Sequence, residues 1–242
     1  MPTARFEDPA GSIRHGTWTA NGIQAGGRTY DPDAVRVLPP VDPDKILGVA
    51  YNFQNRWEAS DDTPPERPGV WLKGGRNVLC GHGDTVTIPA ALDVIWEAEL
   101  AVVIGEQCRG VSEAEALDVV GGYTVANDLS NRTHLDDETM YRIKAFDNAC
   151  PLGPALASPE EVPDDPRIRM WLNGEKRQDS RDDDYVFGIR EVIAEASAYT
   201  TLESDDVILM GTPGGADLLS DGDHVAIEVE GVGRLEHDVA VR

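Results

Sequence analysis

The chain has 242 residues, which is long enough for one large domain with its own hydrophobic core. Its net charge of −23 argues against nucleic acid and anionic membranes as partners, because like charges repel. Three cysteines without C-x-x-C spacing argue against a disulfide framework or a zinc ribbon. No apolar run approaches the roughly 20 residues that span a bilayer, and no signal-peptide pattern is present, so we expect a cytoplasmic protein.

Acidic residues recur along the whole chain, and only four lysines accompany seventeen arginines. This bias is typical of a protein that works at high salt, where screening removes the repulsion among surface acids. An ordinary acidic enzyme is the alternative. The composition therefore predicts a halophilic protein whose stability increases with salt.

Short alternating segments and turn signals predict a small β appendage over residues 1–42, followed by a main domain over 43–242. The predicted strands of the main domain cover residues 46–50, 70–73, 84–89, 96–104, 121–128, 168–172, 207–210, 224–229 and 234–241. Capping and periodicity predict helices over residues 112–120 and 188–199. Segment 51–68, which is polar over 59–68, suits a lid over a site, and a solvated loop is the alternative. The predicted class is mainly β (α+β) with two or three helices.

Two carboxylates in the predicted strand 96–104 point the same way, because side chains in a strand alternate with period two. These are Glu97 and Glu99, and apolar residues flank them. Asp128 ends the next predicted strand. Burying like charges together is costly unless a cation compensates them, and three carboxylates suit a hard cation such as Mg²⁺ or Mn²⁺. From spacing alone, surface acids are an equal alternative.

Nucleophile-elbow, P-loop, G-x-G-x-x-G and H-E-x-x-H patterns are all missing, and the five histidines are scattered. The remaining candidates are Lys144 and the glycine-rich turn 211–215, which carries Thr212. They suit chemistry on a 2-oxo acid. A metal would chelate the acid and stabilise an enolate, Lys144 would neutralise charge or transfer a proton, and backbone N–H groups from Gly211 onward would bind a carboxylate. The alternatives are a solvent-facing lysine and an ordinary turn.

Five ordered segments of the chain, within residues 46–242, resemble the fumarylacetoacetate hydrolase family. They read E-A-E-L-A-V-V-I-G, G-Y-T-V-A-N-D-L-S-N-R, K-A-F-D-N-A-C-P-L-G-P, L-N-G-E-K-R-Q and D-V-I-L-M-G-T-P-G-G. The resemblance implies mixed, rolled β-sheets and commonly a homodimer. It also implies that Mg²⁺ or Mn²⁺ is held by the three carboxylates, and that substrate is handled by Arg132, Lys144 and Thr212. We assign Lys73, in the W-L-K-G-G-R-N segment, to substrate binding as well.

The lid departs from the pattern of hydrolytic members, which resembles N-Y-x-x-H-x-x-E and uses His and Glu to activate water. Here Arg56 and Ala59 take those two places, and Glu58 lies one position away. Leu135 replaces a glutamine that many members carry. These departures look more like the branch of isomerases and decarboxylases that act on 2-hydroxy-diene-dioates from aromatic ring cleavage.

The sequence therefore predicts a metal-dependent isomerase or decarboxylase of 2-oxo or 2-hydroxy-diene dioic acids. Arg56 would bind the second carboxylate of the dioate, since a guanidinium stays protonated and pairs bidentately with carboxylates. One alternative is a C–C hydrolase of acylpyruvate type, with Glu58 as the catalytic base. Another is a silent homologue that binds 2-oxo acids without turnover.

Overall fold

The computed structural model of the chain describes residues 1–58, 63–133, 140–181 and 184–242. Within these ranges the strands are β1 (Thr3–Glu7), β2 (Ile13–Thr19), β3 (Gly22–Ala25), β4 (Arg28–Tyr30), β5 (Arg36–Leu38), β6 (Ile46–Ala50), β7 (Gly69–Gly74), β8 (Leu79–Cys80), β9 (Thr85–Ile88), β10 (Val94–Ile95), β11 (Ala98–Ile104), β12 (Val120–Asn127), β13 (Ser130–Asn131), β14 (Cys150–Ala157), β15 (Arg167–Leu172), β16 (Glu175–Arg181), β17 (Val207–Leu209), β18 (His224–Val229) and β19 (Gly233–Val241). The α-helices are α1 (Gln54–Glu58), α2 (Met140–Lys144) and α3 (Ile189–Tyr199). Short 3₁₀ helices cover Pro32–Ala34, Arg76–Val78, Ala116–Val119 and Pro159–Glu161. The prediction of a mainly β protein is confirmed.

The largest sheet in the described part of the chain has twelve strands, with the central order β1-β14-β12-β11-β17-β6-β7. Strand β11 lies in its middle and is buried on both faces along its whole length. It pairs antiparallel with β12, and the register sets Glu99 opposite Ala126. The start of β11 therefore meets the end of β12, which brings the two acidic segments of the sequence to one place.

A second sheet of five strands, in the order β16-β15-β18-β19-β9, packs against the first. Its inner face contributes Ile168, Met170, Ile227 and Leu235 to the core, all fully buried. Each such side chain stabilises the fold by about 1.5–3 kcal/mol through its burial. The two-sheet core gives the central strands a rigid support.

The N-terminal strands join the large sheet through the pairing of β1 with β14. A small hydrophobic cluster joins them to β14, formed by Ala4, Phe6, Ile23 and Val37 of the N-terminal region with Ala155 of β14. Whether residues 1–42 form a separate unit from 43–242 stays a prediction.

The predicted helix over 112–120 is wrong in type, since only the 3₁₀ turn Ala116–Val119 forms there. Its capping contact is present, because the Ser112 N–H donates to Glu115 Oε2 at 3.0 Å. Strand β12 begins directly after this turn, at Val120. The helix predicted over 188–199 is confirmed as α3. No helix in the described ranges is long and apolar enough to cross a membrane.

Candidate metal and substrate centre

Three carboxylates meet where the central strands end. Glu97 precedes β11, Glu99 lies within it, and Asp128 follows β12. One oxygen from each lies within 4.8 Å of the others. The Asp128 N–H donates to the Glu97 carbonyl oxygen at 2.8 Å, which fixes the two strand ends to each other. Glu99 and Asp128 are buried, so these acids form one cluster and are not three separate surface charges.

Two lysines lie against this cluster. Lys144, the last residue of α2, places its ammonium 2.5 Å from Glu97 Oε2 and 2.5 Å from Asp128 Oδ2. Lys73 lies 2.6 Å from the other oxygen of Asp128. Burial alone would lower the pKa of Lys144, but the charges of Asp128 and Glu97 outweigh it and the pKa is raised. The ammonium form of Lys144 is therefore favoured beside these carboxylates, which suits the charge-neutralising role predicted for it, and the alternative role in proton transfer stays a prediction.

Glu99 is the carboxylate without a close cation. It forms no ion pair within 4 Å with any residue of the described ranges, and its oxygen accepts a hydrogen bond from the Gly211 N–H at 2.6 Å. Burial, together with the charge of Asp128, raises the pKa of Glu99 well above its usual value. Three carboxylates face two ammonium groups, so the fully ionised cluster has one negative charge without a compensating cation. An all-oxygen cluster with surplus negative charge fits a hard divalent cation.

Lys73 uses all its donors within the protein in this structure, so its predicted role in substrate binding stays a prediction. Its side chain is fully buried and donates to Asp128 Oδ1, to the Leu129 carbonyl at 3.2 Å and to the Lys144 carbonyl at 2.9 Å. An ammonium has three N–H donors. The lysine joins the end of β12 to the end of α2, and so positions Asp128 and Lys144 together.

Gly211 contacts the cluster through its backbone, and its predicted role toward a substrate carboxylate stays a prediction. In this structure its N–H donates to Glu99. Its φ of +96° is one that L side chains rarely adopt, and an added Cβ would lie 3.1 Å from Asn52 Cβ. The glycine is needed because the turn must pass close to Asn52 while holding Glu99. Thr212, the next residue, is buried with its hydroxyl beside the Gln178 amide at 3.2 Å.

The remaining predicted site residues are not brought to the cluster by the described contacts. Arg132 is exposed, and no hydrogen bond or ion pair between described residues joins it to the three carboxylates. The side chains of Arg56 and Glu58, and the whole of Leu135, lie outside the described residues. Their roles stay predictions.

One buried network was missed from the sequence. The Glu97 N–H donates to Asn127 Oδ1 at 2.9 Å, and Asn127 Nδ2 lies 2.9 Å from His237 Nε2. Burial lowers the pKa of His237 to about 4, so the ring is neutral and accepts from Asn127. The only sequence signal was the position of Asn127 next to Asp128, because His237 arrives from a strand 110 residues away.

Central strands that end in a buried cluster of oxygen donors define a mixed-β protein with a candidate cation centre. The fumarylacetoacetate (FAA) hydrolase C-terminal family matches residues 45–240. The chain belongs to this family.

One relative is the 4-hydroxyphenylacetate degradation bifunctional isomerase/decarboxylase of Escherichia coli, 38% identical over 195 residues. The match covers 78% of this chain and 45% of that protein, so the chain spans less than half of the relative's length. The structure of 5-carboxymethyl-2-hydroxymuconate delta-isomerase from Mycobacterium smegmatis has a TM-score of 0.89 and 33% identity, covering 100% of this chain and 99% of that one. Maleylpyruvate hydrolase from Sphingobium, in complex with manganese and pyruvate, has a TM-score of 0.83 and 29% identity over the same shares.

Proposed function

We propose that the chain is a metal-dependent isomerase or decarboxylase of 2-oxo or 2-hydroxy-diene dioic acids. The observation that carries this proposal is the Lys144 ammonium, held 2.5 Å from both Glu97 and Asp128. A fixed positive charge beside the cluster suits stabilisation of negative charge on a substrate, whereas hydrolysis needs a base to activate water. The E. coli and M. smegmatis relatives, described as isomerases or decarboxylases, support the same choice.

Each part of the centre has a role in this proposal. Mg²⁺ or Mn²⁺ held by Glu97, Glu99 and Asp128 would supply Lewis-acid stabilisation of an oxygen that gains negative charge. Lys144 adds a second positive charge and keeps its own proton. The Thr212 hydroxyl donates to the carboxylate next to the 2-oxo group. Arg56 of the lid binds the distal carboxylate of the dioate.

A C–C hydrolase is the second candidate, because the Sphingobium maleylpyruvate hydrolase shares the fold over the whole chain. Hydrolysis requires a base within about 3 Å of the attacking water. The lid segment 51–68 contains no histidine, and arginine stands where hydrolytic members have one. Glu58 is then the residue to supply the base.

One experiment separates these functions. Purified protein with Mg²⁺ is offered a panel of 2-oxo dioates and acylpyruvates, the loss of enol absorbance is followed in the ultraviolet, and products are identified by mass. We expect a change in double-bond position or loss of CO₂ from dioates, with little acylpyruvate cleavage. Rapid acylpyruvate cleavage would overturn the proposal, and binding without turnover would indicate a silent homologue.

A homodimer is proposed on the family resemblance alone. The mass of one chain is 26.2 kDa, so light scattering after size exclusion would report twice that value. A single-chain mass at micromolar concentration would contradict the dimer and leave the proposed chemistry standing.

A further inference from the structure

Gln178 is a buried polar residue in a strand that otherwise faces water. Its side chain is 4% exposed, whereas its neighbours Arg177 and Asp179 in β16 are exposed. Burying an amide costs free energy unless its donors and acceptor find partners, and an apolar side chain would fill the same space at lower cost. The hydrogen bonds of this amide therefore require an explanation.

The amide of Gln178 reaches from the five-stranded sheet to the turn that follows β17 of the large sheet. Its Nε2 donates to the Pro213 carbonyl at 2.7 Å, to Thr212 Oγ1 at 3.2 Å and to the Gly214 carbonyl at 3.3 Å. Carbonyl oxygens only accept, so the nitrogen must face the turn, and the orientation of the amide is fixed by its partners.

This orientation determines what the Thr212 hydroxyl can do. An N–H that donates to Thr212 Oγ1 occupies one lone pair and leaves the hydroxyl proton to another acceptor. The acceptor on Gln178 itself, Oε1, lies 3.5 Å away, which is long for an O–H···O bond. Among the residues that the structure describes, no closer acceptor contacts the hydroxyl, so its proton is available to a carboxylate oxygen, the strongest acceptor that a substrate can bring.

The same turn is also tied to the carboxylate cluster, since the Gly211 N–H donates to Glu99 at 2.6 Å. Thr212 therefore lies one residue from a direct contact with the centre. The Gly214 N–H donates to Asn55 of α1 at 3.2 Å, which holds the far end of the turn. Within the turn G-T-P-G-G only threonine has a polar side chain, so the Thr212 hydroxyl is its side-chain donor for a ligand.

We propose that Gln178 is a positioning residue that presents the Thr212 hydroxyl as a hydrogen-bond donor to the carboxylate of a 2-oxo acid. The inference rests on the proposed function, because it requires that such an acid binds beside the cluster. Gln178 touches no reacting atom and acts only through Thr212.

A double-mutant cycle in ligand binding tests this inference. The probe is oxalate, a small dicarboxylate, titrated calorimetrically into the protein with saturating Mg²⁺. We compare the wild type with Gln178→Met, Thr212→Val and the double variant. One hydrogen bond corresponds to a factor of about 5–10 in affinity, so each single variant should weaken binding by about that factor. The double variant should be no weaker than either single one, because both changes remove the same contact.

The matched control is Arg177→Gln, on the exposed face of the same strand, which should leave the oxalate affinity unchanged. Gln178→Glu is the second variant if the methionine variant does not fold. It keeps the shape of the side chain, but its carboxylate accepts the Thr212 proton and should weaken oxalate binding by at least the same factor.

Two outcomes would overturn the inference. If the effects of the single variants multiply, or if Gln178 variants lose thermal stability while oxalate affinity stays at the wild-type value, Gln178 has only a structural role and the proposed function stands. If the wild type with Mg²⁺ does not bind oxalate, the proposed 2-oxo acid site fails, and the role of Gln178 fails with it.

Discussion

Charged side chains pair in two very different regions of this molecule. In the centre, Lys73 and Lys144 are buried against carboxylates at the end of the central strands. On the outer face of the five-stranded sheet, Arg169 pairs with Glu228, and Arg167 pairs with an aspartate of β16, all partly exposed to water. The chemical groups are the same, but the solvent around them differs.

This difference decides how much each pair contributes. Exposed ion pairs contribute about 0–1 kcal/mol, since water screens them and both side chains lose freedom. Removing one partner of a buried pair costs about 3–5 kcal/mol, because the other charge stays behind without compensation. In this chain, with its net charge of −23, ion pairs on the surface therefore contribute little to the free energy of unfolding, whereas those in the centre contribute much more.

The largest effect is expected from Lys73→Met. The variant leaves Asp128 with Lys144 alone and removes the donor from the Leu129 and Lys144 carbonyls. We expect a loss of about 3–5 kcal/mol in the free energy of unfolding, measured by urea denaturation. The control Lys176→Met breaks an exposed pair with Asp179 and should change stability by less than about 1 kcal/mol. Equal losses in the two variants would remove the distinction between the regions.

The next effect concerns pH. The pKa of His237 is lowered to about 4, whereas an unfolded histidine titrates near 6.5. Between these values the unfolded chain binds a proton that the folded chain does not, so stability falls as pH drops through this window. The full loss from this residue is about 3 kcal/mol.

The variant His237→Gln isolates this contribution, because glutamine offers an oxygen to the Asn127 amide and does not titrate. Urea denaturation between pH 7 and pH 4 should give a shallower decline for the variant than for the wild type. Parallel curves would show that carboxylates alone cause the acid sensitivity.

Mg²⁺ that binds at the centre should raise the free energy of unfolding by about 2.7 kcal/mol. This is the stabilisation expected for a ligand at one hundred times its dissociation constant. Glu99→Gln should abolish this gain from Mg²⁺ in thermal unfolding. The metal-free variant should be at least as stable as the metal-free wild type, since the change removes a buried charge that has no close cation. A variant that is still stabilised by Mg²⁺ to the wild-type extent would exclude Glu99 as a ligand.

The smallest effect is expected from salt. The screening length falls from about 10 Å at 0.1 M to about 3 Å at 1 M salt, which relieves repulsion among surface acids but also weakens exposed pairs such as Arg169 with Glu228. We expect repulsion to dominate and the Tm to rise by about 2–4 °C, or about 1 kcal/mol for a chain of this length. A flat or falling Tm would make this an ordinary acidic protein.

Local features of the fold followed from the sequence where the chemistry of one turn or one strand decides them. An Asn-Gly pair between two strands is a hairpin signal, and Asn173 and Gly174 accordingly have positive φ, at 52° and 79°, between β15 and β16. The E-x-E spacing of Glu97 and Glu99 predicted two of the clustered carboxylates, because side chains two residues apart in an extended segment point the same way. The signal failed at residues 112–120, where a real capping contact precedes only a 3₁₀ turn.

The rest of the centre depends on contacts between distant parts of the chain, which no local pattern encodes. Lys73 meets the Lys144 carbonyl across 71 residues, and Gly211 meets Glu99 across 112. Each contact uses a donor that the sequence alone left free for a substrate. Only the folded structure, which brings these distant residues together, shows that these donors are already used.

The placement of the lysines has a practical consequence for covalent labelling. Lys73 and Lys144 are enclosed in the centre, and Lys45 lies 2.5 Å from a fully buried carboxylate, Asp206. Lys176 alone among the four has about half of its side chain in water. An amine-reactive dye or surface linker, which needs an accessible amine, will therefore attach to Lys176 in preference to the other three lysines and leave the charged centre unmodified.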